Sequence, residues 1–152
     1  MPPDFRSFLE QSLADIALNE PEADRALREA LGPLRARLAS EDGAFTIATS
    51  GHGWILGDEA AADVAVAFEA GVLLDLIEGG LTLTEAIEAE RLRIVGSVAA
   101  VAAFYDALLI YLEGLLRAPG APDLLRRYRE SLAPAAVLRH ADIWFPPPTA
   151  SS

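Results

Sequence analysis

The sequence contains no cysteine, no lysine and only two histidines among its 152 residues. Without cysteine there can be no disulfide, no thiolate nucleophile and no cysteine-based metal site. The histidines, His52 and His140, have no second ligand at a metal spacing such as i and i+4. Ser50 lies close to His52, but two neighbours in a turn do not have the geometry of a catalytic triad. We therefore expect surface histidines, no metal and no cofactor.

Positive charge is also scarce. All 12 basic residues are arginines, and 23 acidic residues bring the net charge to −11. This balance argues against nucleic acid and anionic membranes as main partners, and it favours solubility. The first residues, "MPPDFRSFLEQ", carry charges where a signal peptide needs an uninterrupted apolar stretch. We expect a cytoplasmic protein.

Apolar side chains are abundant. They make up 52% of the chain, above the usual 45–50%. A chain of this length forms one domain that either packs a dense core or surrounds an apolar cavity. We predict a single domain over residues 1–135, with a helical N-terminal part (3–40), a core (43–117) and a C-terminal helix (121–133). Residues 136–152 are predicted to be a tail.

Helical spacing of apolar residues predicts two helices at the start of the chain. The first covers residues 4–18. The second is predicted over residues 21–39, with a proline at its first turn and Gly32-Pro33 as a kink or a split. Its apolar face would consist of Leu27, Leu31, Leu34 and Leu38.

The apolar period changes in the middle of the chain. Phe45 and Ile47 alternate with other residues before a Ser-Gly-His-Gly turn, and Trp54 and Leu56 do so after it, which predicts a hairpin. The stretch "GHGWILG" has neither the dinucleotide nor the P-loop spacing, and no helix follows it. Residues 62–68 are predicted to be a third strand.

Residues 78–96, "EGGLTLTEAIEAERLRIVG", are the most ordered part of the sequence. A short helix that starts before this stretch is predicted to end at Gly79-Gly80. Thr82 followed by Glu85 is the pattern of a capping box at the start of the next helix. A second short helix and a strand, residues 91–96, are then predicted. Glu85 is explained by capping, and we expect Glu88 and Glu90 to form a solvated face and not a catalytic carboxylate pair.

A long apolar helix is predicted from Ser97 to Leu116. Between Ile94 and Leu112 its only charged residue is Asp106, so a membrane span has to be considered. An aspartate at the centre of a bilayer costs about 2.5–3.5 kcal/mol, and we predict no integral membrane span. The main apolar stripe would consist of Val98, Val101, Tyr105, Leu108, Leu112 and Leu115.

The tail differs from the rest of the chain. Ile143, Trp144 and Phe145 are strongly apolar, and three prolines follow them. We expect the last residues to be disordered and the apolar residues to dock on the domain or on a partner.

Residues 62–101, "ADVAVAFEAGVLLDLIEGGLTLTEAIEAERLRIVGSVAAV", resemble the sterol carrier protein 2 family. The resemblance lies in the Ala-Asp strand start, the acidic short helix that ends in Gly and Leu, the capped second helix and the "L-x-I-x-G" strand. It implies an α+β fold with a mostly antiparallel sheet of about five strands covered by helices. It also implies an apolar tunnel that holds sterols, fatty acyl chains or other lipids.

The leading hypothesis is non-catalytic binding of a lipid or another hydrophobic small molecule. Trp54, Phe68 and Tyr105, like Trp144 of the tail, are either core residues or cavity wall. The predicted wall consists of Trp54, Phe68, Leu73, Leu76, Ile77, Ile87, Val98, Val101 and Tyr105.

Two alternatives remain open. The chain could form a homodimer, or serve as a scaffold or accessory subunit of a biosynthetic enzyme, because the tail and the long helix are strongly apolar. It could also be an enzyme that shapes a lipophilic substrate. In that case Asp106 or Tyr105 would face inward as a polar group with a shifted pKa.

Overall fold

The computed structural model describes residues 4–41, 43–51, 53–59 and 61–139, and for residues 133–139 only the backbone. Eleven helices and strands follow one another along this part of the chain. They are α1 (Phe5–Asn19), α2 (Pro21–Leu31), β1 (Ala36–Ser40), β2 (Gly43–Thr49), β3 (Trp54–Gly57), β4 (Val64–Phe68), α3 (Val72–Ile77), α4 (Leu83–Glu88), β5 (Leu92–Gly96), α5 (Val98–Arg117) and α6 (Ala121–Arg139). His52, His140 and the apolar tail residues lie outside the described residues.

The strands form one five-stranded sheet in the order β3-β2-β1-β4-β5. Three of its pairings are antiparallel, and β1 runs parallel to β4. This confirms the predicted α+β fold with a mostly antiparallel sheet, and the parallel pair makes the sheet mixed. In β4, Val64, Val66 and Phe68 are buried while Ala65 and Ala67 are exposed, so one face of the sheet carries the core.

The second predicted helix is wrong in its second half. It ends at Leu31, where Gly32 adopts φ +62°, and residues 36–40 form strand β1. Gly32 N still donates to Arg28 O at 2.9 Å, but the positive φ of Gly32 turns the chain out of the helix, and Pro33 has no N–H with which to continue it. Leucines four apart suit a helix, but Ala36 and Leu38 also alternate with exposed or half-buried residues at the period of a strand.

The remaining boundaries follow recognisable local signals. The predicted capping box is present: Thr82 Oγ1 accepts from Glu85 N at 3.1 Å, and the Glu85 side chain accepts from Thr82 N at 2.9 Å. Ser97 caps α5 by accepting from Ala100 N. A Cβ on Gly96 would lie 2.9 Å from the carbonyl oxygen of Asp63, so only glycine permits β5 to end this close to β4.

The segment that follows β4 is held by bonds from several distant elements. Glu69 is buried and accepts from Arg91 Nε at 2.8 Å. Ala70 donates its N–H to Glu41 Oε1 at 2.8 Å, and its carbonyl accepts from the Tyr128 hydroxyl at 2.9 Å. We call these five residues, Glu41, Glu69, Ala70, Arg91 and Tyr128, the polar anchor.

Arg91 reaches the polar anchor because of the way in which α4 ends. Arg91 N donates to Ala86 O at 2.9 Å and Glu90 N donates to Ile87 O at 3.0 Å, while Glu90 adopts φ +60°. This is a Schellman motif with a glutamate where glycine is usual. It turns the chain so that Arg91 contacts both Glu69 and Asp75, the latter at 2.6 Å.

The C-terminal helix is longer than predicted. It begins at Ala121 as expected but continues to Arg139, so the predicted start of the tail at residue 136 lies within α6. Tyr128 of this helix stacks on Phe8 with ring centroids 4.9 Å apart, which packs α6 against α1. The boundary of the domain itself stays a prediction.

Candidate functional site

An apolar cavity of about 100 Å³ lies between the sheet and the helices. Each described residue around it is aliphatic or aromatic, and none of these residues exposes a polar atom to the cavity. The sheet supplies Leu38, Ile47, Trp54, Val66, Phe68 and Leu92. The helices supply Phe5, Leu9 and Leu13 (α1), Leu27 and Leu31 (α2), Val72, Leu73 and Leu76 (α3), and Phe104, Ala107, Leu108 and Tyr111 (α5).

The periods of the strands and helices place these residues in the cavity. Val66 and Phe68 are two apart on β4, so both side chains point to the same face. On α5, Phe104, Leu108 and Tyr111 follow each other at intervals of four and three, which is one face of a helix. The cavity is therefore bounded by one face of the sheet and by matching faces of four helices.

The two lining residues with polar atoms have those atoms bonded elsewhere. Tyr111 Oη lies 2.7 Å from Ser12 Oγ, and Ser12 in turn donates to the carbonyl of Leu9 at 3.0 Å. Trp54 Nε1 donates to Asp24 Oδ1 at 3.4 Å. Burial raises the pKa of Tyr111 far above its usual value, so its hydroxyl stays protonated at neutral pH. The cavity thus offers hydrocarbon surface and no free donor or acceptor.

Four of the nine predicted wall residues line this cavity, namely Trp54, Phe68, Leu73 and Leu76. The other five do not line it. Val98 and Ile87 are exposed, and Ile77, Val101 and Tyr105 are half-buried at other positions. The deviation on α5 is a rotation of the helix, because its inward face is centred on Ala107 and not on Val101. Whether any of these residues contacts a ligand stays a prediction.

Several lining residues were missed by sequence reasoning. The α5 residues carry a weak signal, since Phe104, Leu108 and Tyr111 recur at helical spacing, but most other positions of this helix are apolar too. The α1 and α2 leucines were recognised as apolar faces without any indication of what they face. Ala107 carried no signal at all.

The two residues that the sequence suggested for acid–base chemistry, Asp106 and Tyr105, do not border the cavity. Asp106 is exposed and does not face inward, which corrects that expectation, and Tyr105 does not line the cavity. Among the described residues no group of three or more His, Asp or Glu side chains could hold a metal ion.

The helix α5 is the one described helix that is long and apolar enough to cross a membrane. Length and composition alone are weak evidence, because the core helix of a folded domain passes the same test. Here α5 packs along α2, and its Gly114 lies against Ala23 of α2 and Ile16 of α1. The described part of the chain therefore shows no clear membrane span.

One family emerges from two of the three comparisons with known proteins. The model of the SCP-2 sterol transfer family matches residues 9–108, more than half of the chain. The comparison with curated proteins gives no match.

Solved structures of sterol carrier proteins share the fold. The sterol carrier protein domain 2 of Helicoverpa armigera is 15% identical (TM-score 0.52), over 70% of this chain and 89% of that one. A crystal structure of sterol carrier protein 2 is 19% identical (TM-score 0.50), over 74% and 95%. A UbiJ-SCP2 ubiquinone synthesis protein is 24% identical (TM-score 0.48), over 65% and 90%. The first two of these similarities show the fold.

Proposed function

Since the chain belongs to the SCP-2 sterol transfer family, we propose that it binds a lipid or another hydrophobic small molecule in the apolar cavity, without chemical change. The observation that carries this proposal is a cavity lined only by apolar side chains, in which the polar atoms of Trp54 and Tyr111 are already bonded. Such a surface can hold hydrocarbon, and it presents no nucleophile, acid or base. A cytoplasmic location stays a prediction.

The hydrophobic effect alone is large enough to bind such a ligand. Burying a twelve-carbon chain stabilises the complex by about 10 kcal/mol before ordering costs, at about 0.8 kcal/mol per methylene. A polar head group would find no partner inside this cavity, and we expect it to remain at the protein surface.

The size of the cavity limits how a ligand can enter. An engineered cavity of about 150 Å³ holds one benzene ring, so about 100 Å³ holds only part of an acyl chain. A longer ligand therefore requires the wall to move. The lining residues that are only half-buried mark where we expect the opening, and these are Trp54, Leu76, Phe104 and Leu108.

Binding of the fluorescent fatty acid cis-parinaric acid tests the proposal. Ala107 is buried in the wall, so Ala107→Phe places a ring in the cavity. The matched control is Ala99→Phe, at an exposed position of the same helix. We expect Ala107→Phe to weaken binding by at least about tenfold, or about 1.4 kcal/mol, and Ala99→Phe to leave it unchanged. Equal affinity in a folded Ala107→Phe variant would exclude this cavity as the site.

A role as an accessory subunit of a larger assembly is the second candidate. The observation that favours it is a row of exposed apolar side chains on the outer face of α5, among them Val98, Leu109 and Leu116. That face is separate from the cavity, so the two functions are compatible.

A further inference from the structure

The helix α5 has a second apolar face, which points away from the cavity. Only 28% of its most apolar 18 residues are buried. Val98 is 89% exposed, Leu109 is 41% exposed and Leu116 is 62% exposed. Together with the residues between them they form a continuous row, which we call the outer seam: Val98, Ala102, Tyr105, Leu109, Leu112 and Leu116.

The spacing of the outer seam is that of a coiled-coil helix. Its members follow each other at intervals of four, three, four, three and four residues. An apolar period of 3.5 residues keeps one seam facing a partner helix along its whole length. The cavity-lining residues Phe104, Ala107 and Tyr111 lie outside the outer seam, so one helix presents two separate apolar surfaces.

Acidic side chains border the outer seam on one side. Asp106 and Glu113 each follow a seam residue by one position, which puts both on the same flank. Both are exposed, and no hydrogen bond or ion pair joins either of them to another described residue. Arg117 follows the seam residue Leu116 on the same flank, but its Nε donates to Glu20 Oε1 at 3.1 Å. The other flank contains Val101, Leu108 and Leu115, which are buried or half-buried within the domain.

We propose that the outer seam docks an amphipathic helix of a partner protein, with apolar residues at coiled-coil spacing and lysine or arginine along one edge. The apolar edge of that helix covers the exposed side chains of α5, and its basic edge lies opposite Asp106 and Glu113. This goes beyond ligand binding, and either proposal can fail without the other.

The acidic side chains beside the outer seam favour a basic partner helix over a second copy of the chain or an anionic membrane. In a two-fold antiparallel pair of α5 helices, the flank with Asp106 and Glu113 would face the same flank of the second copy, and like charges repel. An anionic membrane would meet the same two carboxylates on a chain of net charge −11. The chain's own residues 146–148 are three successive prolines, a sequence that lacks the amphipathic repeat expected of the partner helix.

Two synthetic peptides of about three heptads test the proposal. Both carry leucine at the a and d positions, and they differ in having lysine or glutamate at e and g. Fluorescence anisotropy measures their binding to the full chain, to Leu109→Gln and Leu116→Gln in the outer seam, and to Leu18→Gln as control. Leu18 is 80% exposed and lies on α1, away from the outer seam.

We expect the lysine peptide to bind at least about tenfold more tightly than the glutamate peptide. Leu109→Gln or Leu116→Gln should remove most of this binding, and Leu18→Gln should not. Because these positions are exposed, glutamine should leave the fold intact, and thermal melting followed by circular dichroism verifies it. Changing both Asp106 and Glu113 to lysine should reverse the preference between the peptides.

Five results would overturn the proposal, and four of them come from the full chain and its variants. They are equal affinity for the two peptides, binding that survives both seam variants, a dimer in light scattering that Leu109→Gln dissociates, and binding to phosphatidylglycerol vesicles that Leu109→Gln abolishes. The third would assign the outer seam to a second copy, and the fourth to a membrane. A chain shortened after Arg139 should bind the lysine peptide as the full chain does, and a tighter complex would assign the outer seam to residues 140–152.

Discussion

Glu69 and Ala70 make directional bonds to three distant elements, whereas the side chains that line the cavity meet each other through apolar contacts. The polar anchor joins the β1–β2 turn, the start of β5 and α6 to the end of β4. Phe68, one residue earlier, already belongs to the cavity wall and contacts Phe5 with ring centroids 4.6 Å apart. The last residue of β4 and the residue that follows it thus belong to two differently stabilised regions.

The difference matters for ligand binding. Hydrogen bonds and ion pairs depend on distance and angle, so the polar anchor fixes where the strand ends and where α3 begins. Apolar contacts are non-directional and tolerate repacking, provided that the volume is filled. The cavity wall can therefore change shape around a ligand while the polar anchor keeps the surrounding strands and helices in place.

The largest effect is expected from breaking the polar anchor. Arg91→Ala removes the guanidinium that pairs with the carboxylate of Glu69, and the Glu69 side chain is only 6% exposed. We expect a loss of about 3 kcal/mol in the free energy of unfolding, measured in urea, because an uncompensated buried charge is costly. Arg126→Ala, which removes an exposed ion pair with Asp123, should have no measurable effect. Similar stability of the two variants would mean that the Arg91–Glu69 pair contributes no more to folding than an exposed ion pair does.

A truncation in the cavity wall should cost stability without weakening the ligand complex. Leu73→Ala removes a buried side chain from α3, and we expect a loss of about 2 kcal/mol, because the site adjoins an existing cavity. The enlarged cavity should bind cis-parinaric acid at least as tightly as before. Binding that is weakened as in Ala107→Phe would show that the wall has one fixed shape, contrary to this account.

Removing the hydrogen bond between Tyr111 and Ser12 should lower the free energy of unfolding by a smaller amount, and this amount should depend on pH. Tyr111→Phe removes the bond to Ser12 and should cost about 1 kcal/mol at pH 7. Because burial raises the pKa of Tyr111, the unfolded chain loses this proton near pH 10 while the folded chain keeps it. The stabilisation is complete below about pH 10 and is lost as the pH rises further.

Urea unfolding between pH 9 and 11 separates the two proteins. The original chain should lose stability with rising pH more steeply than Tyr111→Phe does. Parallel pH profiles would mean that Tyr111 ionises equally well in the folded and unfolded chains.

The smallest effect is expected where α4 turns into β5. Glu90 adopts φ +60°, a left-handed conformation that side chains disfavour and glycine adopts freely. Glu90→Gly should therefore raise the free energy of unfolding by about 0.5 kcal/mol. This gain is the backbone strain that the variant relieves, reduced by the conformational entropy that glycine adds to the unfolded chain. Its matched control is Glu88→Gly, within α4, which should lower the stability. A destabilised Glu90→Gly variant would mean that the glutamate side chain contributes to holding Arg91.

The local signals in the sequence predicted most of the fold. Thr82 and Glu85 form the capping box, and the alternation of Val64, Val66 and Phe68 gives a strand, because both signals depend only on near neighbours. The helix predicted across Gly32 and Pro33 failed, since leucines four apart fit a helix as well as a strand with a different start.

The site was less accessible from sequence. Most positions of α5 are apolar, so no period could tell its cavity face from its outer seam, and five predicted wall residues fell outside the lining. In the polar anchor, Glu69 and Arg91 are 22 residues apart in the sequence. No sequence motif marks this pair, so it becomes visible only in the folded chain. Asp106 was expected to face inward only if the chain were an enzyme, and it lies on the exposed face.

Native mass spectrometry of the purified protein, followed by solvent extraction, tests the central claim most directly. The account predicts an adduct of lipid size that disappears on denaturation and that is much weaker in Ala107→Phe than in Ala99→Phe. The claim would be contradicted by an unliganded mass that persists after incubation with fatty acids, sterols and quinones.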